Sequence, residues 1–356
     1  MTRLEKLKAK MADKGIDALY ITSTENHRYI CGFNNPDGQV LVTKNKSYVF
    51  ADFRYIEAAK REVAEGFEVV MPASSEKEYL ADCVSENGVS VIAFEENDMT
   101  FGRFEELKGA LGNVECTRGA SMLNELRITK TEEEVNFMIA AQRIAERALD
   151  DLLGKLTYEM TEKEVAAELE YLMKRYGAEN ISFDTIAVSG SNSSSPHGVP
   201  RNVKLEKGFL TLDFGATVEG YHSDMTRTVV LGKATDDMKK LYATVLSAQT
   251  AVLDVITEGA HNFEMDKIAR DIIDSTEYRG CFGHSLGHGV GLLIHELPNL
   301  SPKSPKDQVL KRGDVVTVEP GIYVEGKYGC RIEDMVWITE GSAVNLTKAP
   351  KELIEI

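Results

Sequence analysis

The chain has 356 residues, enough for about two domains at ~150 residues each, and its 43% hydrophobic and 28% charged residues argue against disorder. Fifty-seven acidic against 41 basic residues leave a formal charge of −16, a field that repels nucleic acid and anionic membranes. No apolar run reaches the ~18 residues of a membrane helix, so no membrane partner is expected.

From its start the chain runs straight into charges, Met1-Thr2-Arg3-Leu4-Glu5-Lys6, with no apolar signal segment. The five cysteines (31, 83, 116, 281 and 330) form no C-x-x-C pair, which points to reduced thiols and a cytoplasmic setting. Leu4, Leu7 and Met11 recur at helical spacing, and Gly15 closes that helix before the strand Ala18-Leu19-Tyr20-Ile21. Strands are predicted at 40–42, 48–50, 67–70 and 89–92, with charged helices over 53–64 and 101–111. This alternation predicts a smaller α/β domain over residues 1–122. The boundary is expected within Thr117–Lys130, with a second domain over 123–356. Thr131-Glu132-Glu133-Glu134 and Thr161-Glu162-Lys163-Glu164 are capping boxes, each opening an amphipathic helix. From about 182 short strands dominate, interrupted by helices near 235–257 and 263–275, so the second domain is expected to be α+β.

Six of the seven histidines fall at or beyond residue 197, which puts the chemistry in the second half. Three motifs there mislead. Gly283-His284-Ser285-Leu286-Gly287 fits a nucleophile elbow, but no acid lies between Ser285 and either downstream histidine. Asp213-Phe214-Gly215 lacks every other kinase motif, and His295-Glu296 has Asn299 where a zinc-binding helix needs histidine.

Asp213 and Asp224 flank a turn at Val218-Glu219-Gly220. A turn at 218–219 sets the two acids opposite each other, and a turn at 219–220 makes them diagonal neighbours on one face. Either register costs repulsion unless a cation lies between them. Val315-Val316-Thr317-Val318-Glu319-Pro320-Gly321 is a second strand ending in an acid, and Arg331 and Glu333 share a strand face downstream by the period of two. Between these pairs lies His284-Ser285-Leu286-Gly287-His288-Gly289-Val290-Gly291, followed by His295. Four carboxylates and a histidine suit two divalent ions, with Mn²⁺ or Co²⁺ favoured by the oxygen-rich donors and Zn²⁺ also open.

Asp213, Asp224, His288, Glu319 and Glu333, spaced 11, 64, 31 and 14 residues apart, resemble the ligand set of the pita-bread metallopeptidases. That family includes methionine aminopeptidase, aminopeptidase P and prolidase. Pro196-His197-Gly198-Val199-Pro200, Val318-Glu319-Pro320-Gly321-Ile322-Tyr323 and Arg331-Ile332-Glu333-Asp334 carry the resemblance further. Leu126-Arg127 to Lys130-Thr131 and Asp52-Phe53-Arg54-Tyr55 resemble the small prolidase and aminopeptidase P members.

The resemblance implies a pita-bread catalytic domain behind a creatinase-type first domain. It also implies a dinuclear site: Asp213 on one ion, His288 and Glu319 on the other, and Asp224 and Glu333 bridging. Glu319 would move the proton of the attacking water, and His197 and His295 would face the scissile carbonyl. His284 and Arg331 would contact substrate or hold the ligands in place. The expected activity is hydrolysis of the Xaa-Pro bond in short proline-containing peptides by a cytoplasmic homodimer, as a dipeptidase or an aminopeptidase. Arg54 and Tyr55 could reach a neighbouring subunit's site or pack within their own domain. A non-prolyl aminopeptidase of this fold and a catalytically inactive binding protein are the alternatives. His27 reads as structural, His222 and His261 as satisfied or exposed residues, and Cys330 as a point of oxidation sensitivity beside Arg331.

Overall fold

The computed structural model describes residues 1–356, which form two compact units, Met1–Arg127 and Ile128–Ile356. In the first, the elements run α1 (Arg3–Asp13), β1 (Ala18–Ile21), α2 (Thr24–Cys31), β2 (Gln39–Thr43), β3 (Ser47–Phe50) and α3 (Ile56–Glu62). They continue with β4 (Glu68–Val70), α4 (Glu76–Glu86), β5 (Val91–Phe94), α5 (Phe101–Leu111), β6 (Glu115–Arg118) and α6 (Ala120–Arg127). The six strands make one mixed sheet in the order β4-β3-β2-β1-β5-β6. Leu80 and Val84 of α4 and Leu107 and Leu111 of α5 pack on one of its faces against Tyr20, Leu41, Ile92 and Phe94. The predicted strands lie in this sheet. β6 and α6 fill most of the segment 117–130, and α6 closes the first unit at Arg127.

The second unit continues with α7 (Glu132–Leu153), α8 (Glu162–Arg175), β7 (Asn180–Ile181), β8 (Ile186–Ser189), β9 (Gly208–Phe214), β10 (Ala216–Val218) and β11 (Tyr221–His222). Then come β12 (Met225–Leu231), α9 (Asp236–Leu253), α10 (Asn262–Asp274), β13 (Gly287–Gly289) and β14 (Glu296–Leu300). The last strands are β15 (Val315–Val318), β16 (Gly321–Val324), β17 (Tyr328–Arg331), β18 (Asp334–Thr339) and β19 (Ser342–Asn345).

Both capping boxes form: Thr131 and Thr161 each accept from the backbone N–H of the glutamate three residues on, whose side chain caps in return. The apolar face of α7 (Ala141, Ala145, Leu149) packs with Val165, Leu169 and Leu172 of α8 over Leu210, Leu212 and Phe214 of β9 and Met225 and Val229 of β12. A second layer repeats this plan, with Leu241 and Val245 of α9 and Met265, Ala269 and Ile273 of α10 over Val316, Val318, Val336 and Ile338. Each of the Val, Leu, Ile, Phe and Met side chains among these contributes about 1.5–3 kcal/mol by leaving water. The strands between the layers, β12-β9-β8 and β14-β13-β15-β18-β19, are antiparallel and form the platform for the site.

Candidate metal centre and active site

Glu219 and Gly220 have φ of 48° and 73°, the doubly positive signature of a type I′ hairpin turn. The turn therefore falls at 219–220, and Thr226, not Asp224, stands opposite Asp213. Asp224 is the diagonal neighbour, just before β12. Gly215 permits this pinch, because a Cβ there would lie 1.9 Å from the Ser223 carbonyl oxygen. Asp213 and Asp224 are 9% and 4% exposed, so neither is a solvated surface acid.

The other acids sit at joints. β15 stops at Val318 and β16 starts at Gly321, so Glu319 and Pro320 carry the chain out of the five-stranded sheet into a two-stranded ribbon. Ile332 and Glu333 bring it back between β17 and β18. Both joints are gripped from behind: the Gln249 amide of α9 donates to the Val318 and Ile332 carbonyls at 3.2 and 3.1 Å. Glu333 accepts from the Thr226 hydroxyl at 2.7 Å, and Glu319 from the Thr317 hydroxyl at 3.2 Å. Arg227 donates to the Glu333 carbonyl and pairs with buried Asp334 at 2.8 Å.

His288 Nδ1 lies 3.1 Å from the Gly289 carbonyl, which can only accept, so Nδ1 carries the hydrogen. Burial lowers the ring's pKa to about 4, so at neutral pH Nε2 presents a lone pair. It faces Asp224 Oδ2 at 3.6 Å and Glu319 Oε1 at 3.4 Å. Burial and the charges of Asp213 and Glu319 push Asp224 well above the carboxylate range. Burial and Asp224 do the same to Glu333, and burial raises Glu319 to about 8. Asp213 Oδ1 is enclosed with no hydrogen-bond partner. Donor atoms of Asp224, His288 and Glu333 all lie within 4.8 Å of one another. A lone pair aimed at carboxylates, an orphaned anionic oxygen and four enclosed acids with one guanidinium among them fit divalent cations and little else.

That guanidinium is Arg331. It donates to Asp213 at 2.5 Å, to the Thr226 hydroxyl at 2.9 Å, to the Pro196 carbonyl at 3.2 Å and to the Tyr323 oxygen at 2.7 Å. With its oxygen accepting from Arg331, Tyr323 donates to His284 Nε2 at 3.0 Å, while His284 Nδ1 donates to the Ser285 carbonyl at 2.8 Å. Both ring nitrogens of His284 are thus engaged in holding Tyr323 and its own loop. Sequence reasoning assigned nothing to Tyr323, Thr226 or Gln249. The one available signal is that Tyr323 ends the motif Val318-Glu319-Pro320-Gly321-Ile322-Tyr323.

A cavity of about 570 Å³ gathers all nine expected residues: His197, Asp213, Asp224, His284, His288, His295, Glu319, Arg331 and Glu333. His197 and His295 are exposed on its wall, and the His295 ring lies 4.5 Å from that of His288. Phe183, Ile186, Pro196, Val199, Pro200 and Ile294 supply its apolar lining. Ser285 only donates to the Ser301 hydroxyl at 3.1 Å, so no nucleophile elbow exists. His27 is buried with both nitrogens on the Ile21 and Asn35 carbonyls. His222 and His261 each enclose an Nδ1 without a partner, so the expectation that they are satisfied or exposed does not hold for that atom. Arg54, in the first unit, pairs with Asp52 and Asp37. Cys330 is fully buried and its thiol is pushed up to about 12, which removes the reactivity expected of it.

Residues 136–340 match the metallopeptidase family M24, and residues 3–129 match the creatinase/prolidase N-terminal domain. The chain belongs to metallopeptidase family M24. This M24 protein is 36% identical to an Xaa-Pro dipeptidase of Pyrococcus horikoshii over 99% of the chain and 98% of that relative. It superposes on the structure of an Xaa-Pro dipeptidase from Bacillus anthracis with a TM-score of 0.95, at 39% identity and 99% coverage of both chains. It also superposes on an X-Pro aminopeptidase from Thermotoga maritima with a TM-score of 0.90, at 36% identity over 96% of this chain and 98% of that one. The expected architecture is therefore that of this protein: a creatinase-type first domain and a pita-bread M24 domain.

Proposed function

We propose that this metallopeptidase hydrolyses the Xaa-Pro bond of short peptides with two divalent ions held by Asp213, Asp224, His288, Glu319 and Glu333. The reading rests on one observation: four carboxylates line one cavity and two of them face a neutral histidine lone pair, an arrangement that divalent cations would relieve. Bound there, the ions would supply Lewis acidity and lower the pKa of a water molecule. Glu319 takes the proton of the attacking water and passes it to the leaving imino nitrogen, acting first as general base and then as general acid. His197 and His295 point hydrogen-bond donors at the developing oxyanion from the exposed wall. Arg331 holds Asp213 in place by its hydrogen bond, with His284 and Tyr323 fixing the guanidinium. The apolar lining from Phe183 to Ile294 accommodates a proline ring, which offers no N–H for recognition.

The names of the relatives support the prolyl reading and divide between dipeptidase and aminopeptidase. Rates on an Xaa-Pro dipeptide and an Xaa-Pro-Yaa tripeptide decide between the two, and an absence of turnover on both refutes the prolyl reading. We further propose Mn²⁺ or Co²⁺ as the working ions, a homodimer as the assembly and the cytoplasm as the location. Dialysed protein is expected to regain activity with Mn²⁺ or Co²⁺ and not with Mg²⁺, because one donor is an imidazole nitrogen. Equal rescue by Mg²⁺ would remove His288 from the ligand set. Metal retention with no peptide turnover would favour the inactive binding-protein alternative.

A further inference from the structure

His197 lies midway along the connection from β8 to β9, residues 190–207, a long segment whose only regular part is a short 3-10 helix over Gly190–Ser194 and which must hold one side chain against the cavity. Both stems of this segment converge on a single carboxylate, Glu162, at the first position of α8. On the outgoing side, Glu162 Oε1 accepts from the Ser189 N–H at 2.8 Å and its hydroxyl at 3.1 Å, and Oε2 accepts from the Asn192 amide at 3.1 Å. On the returning side it accepts from the Arg201 backbone N–H at 2.8 Å and from Nε and Nη2 of its guanidinium at 3.0 and 2.8 Å. The backbone adds to this, with the Glu162 N–H on the Val203 carbonyl and the Lys163 N–H on the Arg201 carbonyl.

Six donors on one fully enclosed carboxylate exceed what an N-terminal helix residue needs. An ion pair kept solely for stability would be as well served by apolar packing. What this one does is close the loop. The same Asn192 amide that meets Glu162 donates to the Val199 carbonyl at 3.2 Å, two residues past His197. On the other flank the Pro196 carbonyl receives Arg331. His197 is therefore clamped between a contact from the candidate metal centre and a contact that traces back to Glu162. We infer that Glu162 is a positioning residue for His197, holding the 190–207 loop so that the imidazole meets the substrate carbonyl. The inference rests on the reading above that His197 acts on substrate.

The test is a double-mutant cycle on the full-length, manganese-loaded protein with the dipeptide Ala-Pro. Glu162→Gln keeps the shape but sets an NH₂ group against donors. Arg201→Gln removes the guanidinium from a side chain already 38% exposed, and it carries the test if the buried change prevents folding. Each is expected to lower kcat/KM about 10-fold, mainly through kcat, because small misplacements of a reacting group are costly. Metal content should stay at the parent value, and amide hydrogen exchange should quicken across 190–203. In a His197→Ala background the same changes should cost less than about 2-fold, since there is no imidazole left to misplace. Equal losses in both backgrounds would make Glu162 a purely structural brace, and faster exchange with unchanged kcat/KM would separate the loop from catalysis. Full activity in His197→Ala alone would instead refute the role of His197, a failure visible without either brace variant.

Discussion

Asp224 and Glu333 share one surrounding: each is nearly sealed from water and each is raised by the other acids around it. Their removal should therefore show in metal content before it shows anywhere else. Asp224→Ala and Glu333→Ala are each expected to abolish hydrolysis and to reduce bound metal, read by elemental analysis; unaltered turnover would rule out a bridging role. His295 is different, being exposed and in ring contact with His288 without a bond to any acid. His295→Ala should keep its metal and lose about 10²-fold in kcat, as expected for one donor to an oxyanion. A metal-free His295→Ala protein would show that the residue supports ligation instead. Cys330 offers a contrasting test. Its buried thiol, raised to about 12, stays protonated at neutral pH, so thiol alkylation of the native protein should leave Cys330 unmodified in a peptide map.

The elements explain why these side chains meet. A type I′ turn fixes the β9–β12 register and so the diagonal of Asp213 and Asp224, while the two joints aim Glu319 and Glu333 out of the regular ladders. Gln249 is the one side chain that holds both joints, through the carbonyls just before each acid. Gln249→Leu, close in volume but with no donor, should leave both carbonyls unpaired at a cost of about 1–3 kcal/mol each. It should also weaken metal binding by about 10–100-fold, the usual effect of losing a support behind the ligands. A metal titration that matches the parent would mean the joints keep their shape unaided. A comparable pin acts on the His295 loop, where buried Lys130 pairs with Glu296 at 3.2 Å. These supports were illegible beforehand for a physical reason. Gln249 and Thr226 act over separations of 69 to 107 residues, and nothing in their local pattern marks them. The acids were legible because a carboxylate inside Leu210-Thr211-Leu212-Asp213-Phe214 contradicts its own strand. Helices α2 and α4 escaped notice because their periodicity is short and mixed with polar residues, Asn26 and His27 among them.

At the scale of the whole molecule, the paired layers of helix over sheet were readable from capping boxes and apolar periodicity, since those signals are local. α6, which closes the first unit, carries no such signal, because its amphipathic face is no different in kind from those of its neighbours. The stored protonation of the centre gives the folded protein a pH signature. Asp224, Glu333 and Glu319 (about 8) all sit above the ~4 of carboxylates in an unfolded chain. At these three acids the metal-free folded state then holds more protons than the unfolded state in that interval, so their contribution to stability falls as pH rises from about 4 to about 8. Divalent ions compete with those protons. The rise in Tm on adding Mn²⁺ should therefore be small at about pH 5 and larger at about pH 8. A metal-induced rise that shrinks over that range would contradict the protonation assigned to these acids.

Glu319 and Glu333 stand where the chain leaves one sheet and rejoins it, so any ion lodged between them would add a fastening between the sheet and the two-stranded ribbon. Such an ion works as a rivet as well as a reagent. Stripping it should slacken the ribbon of β16 and β17 first, well below the temperature at which the helical layers melt.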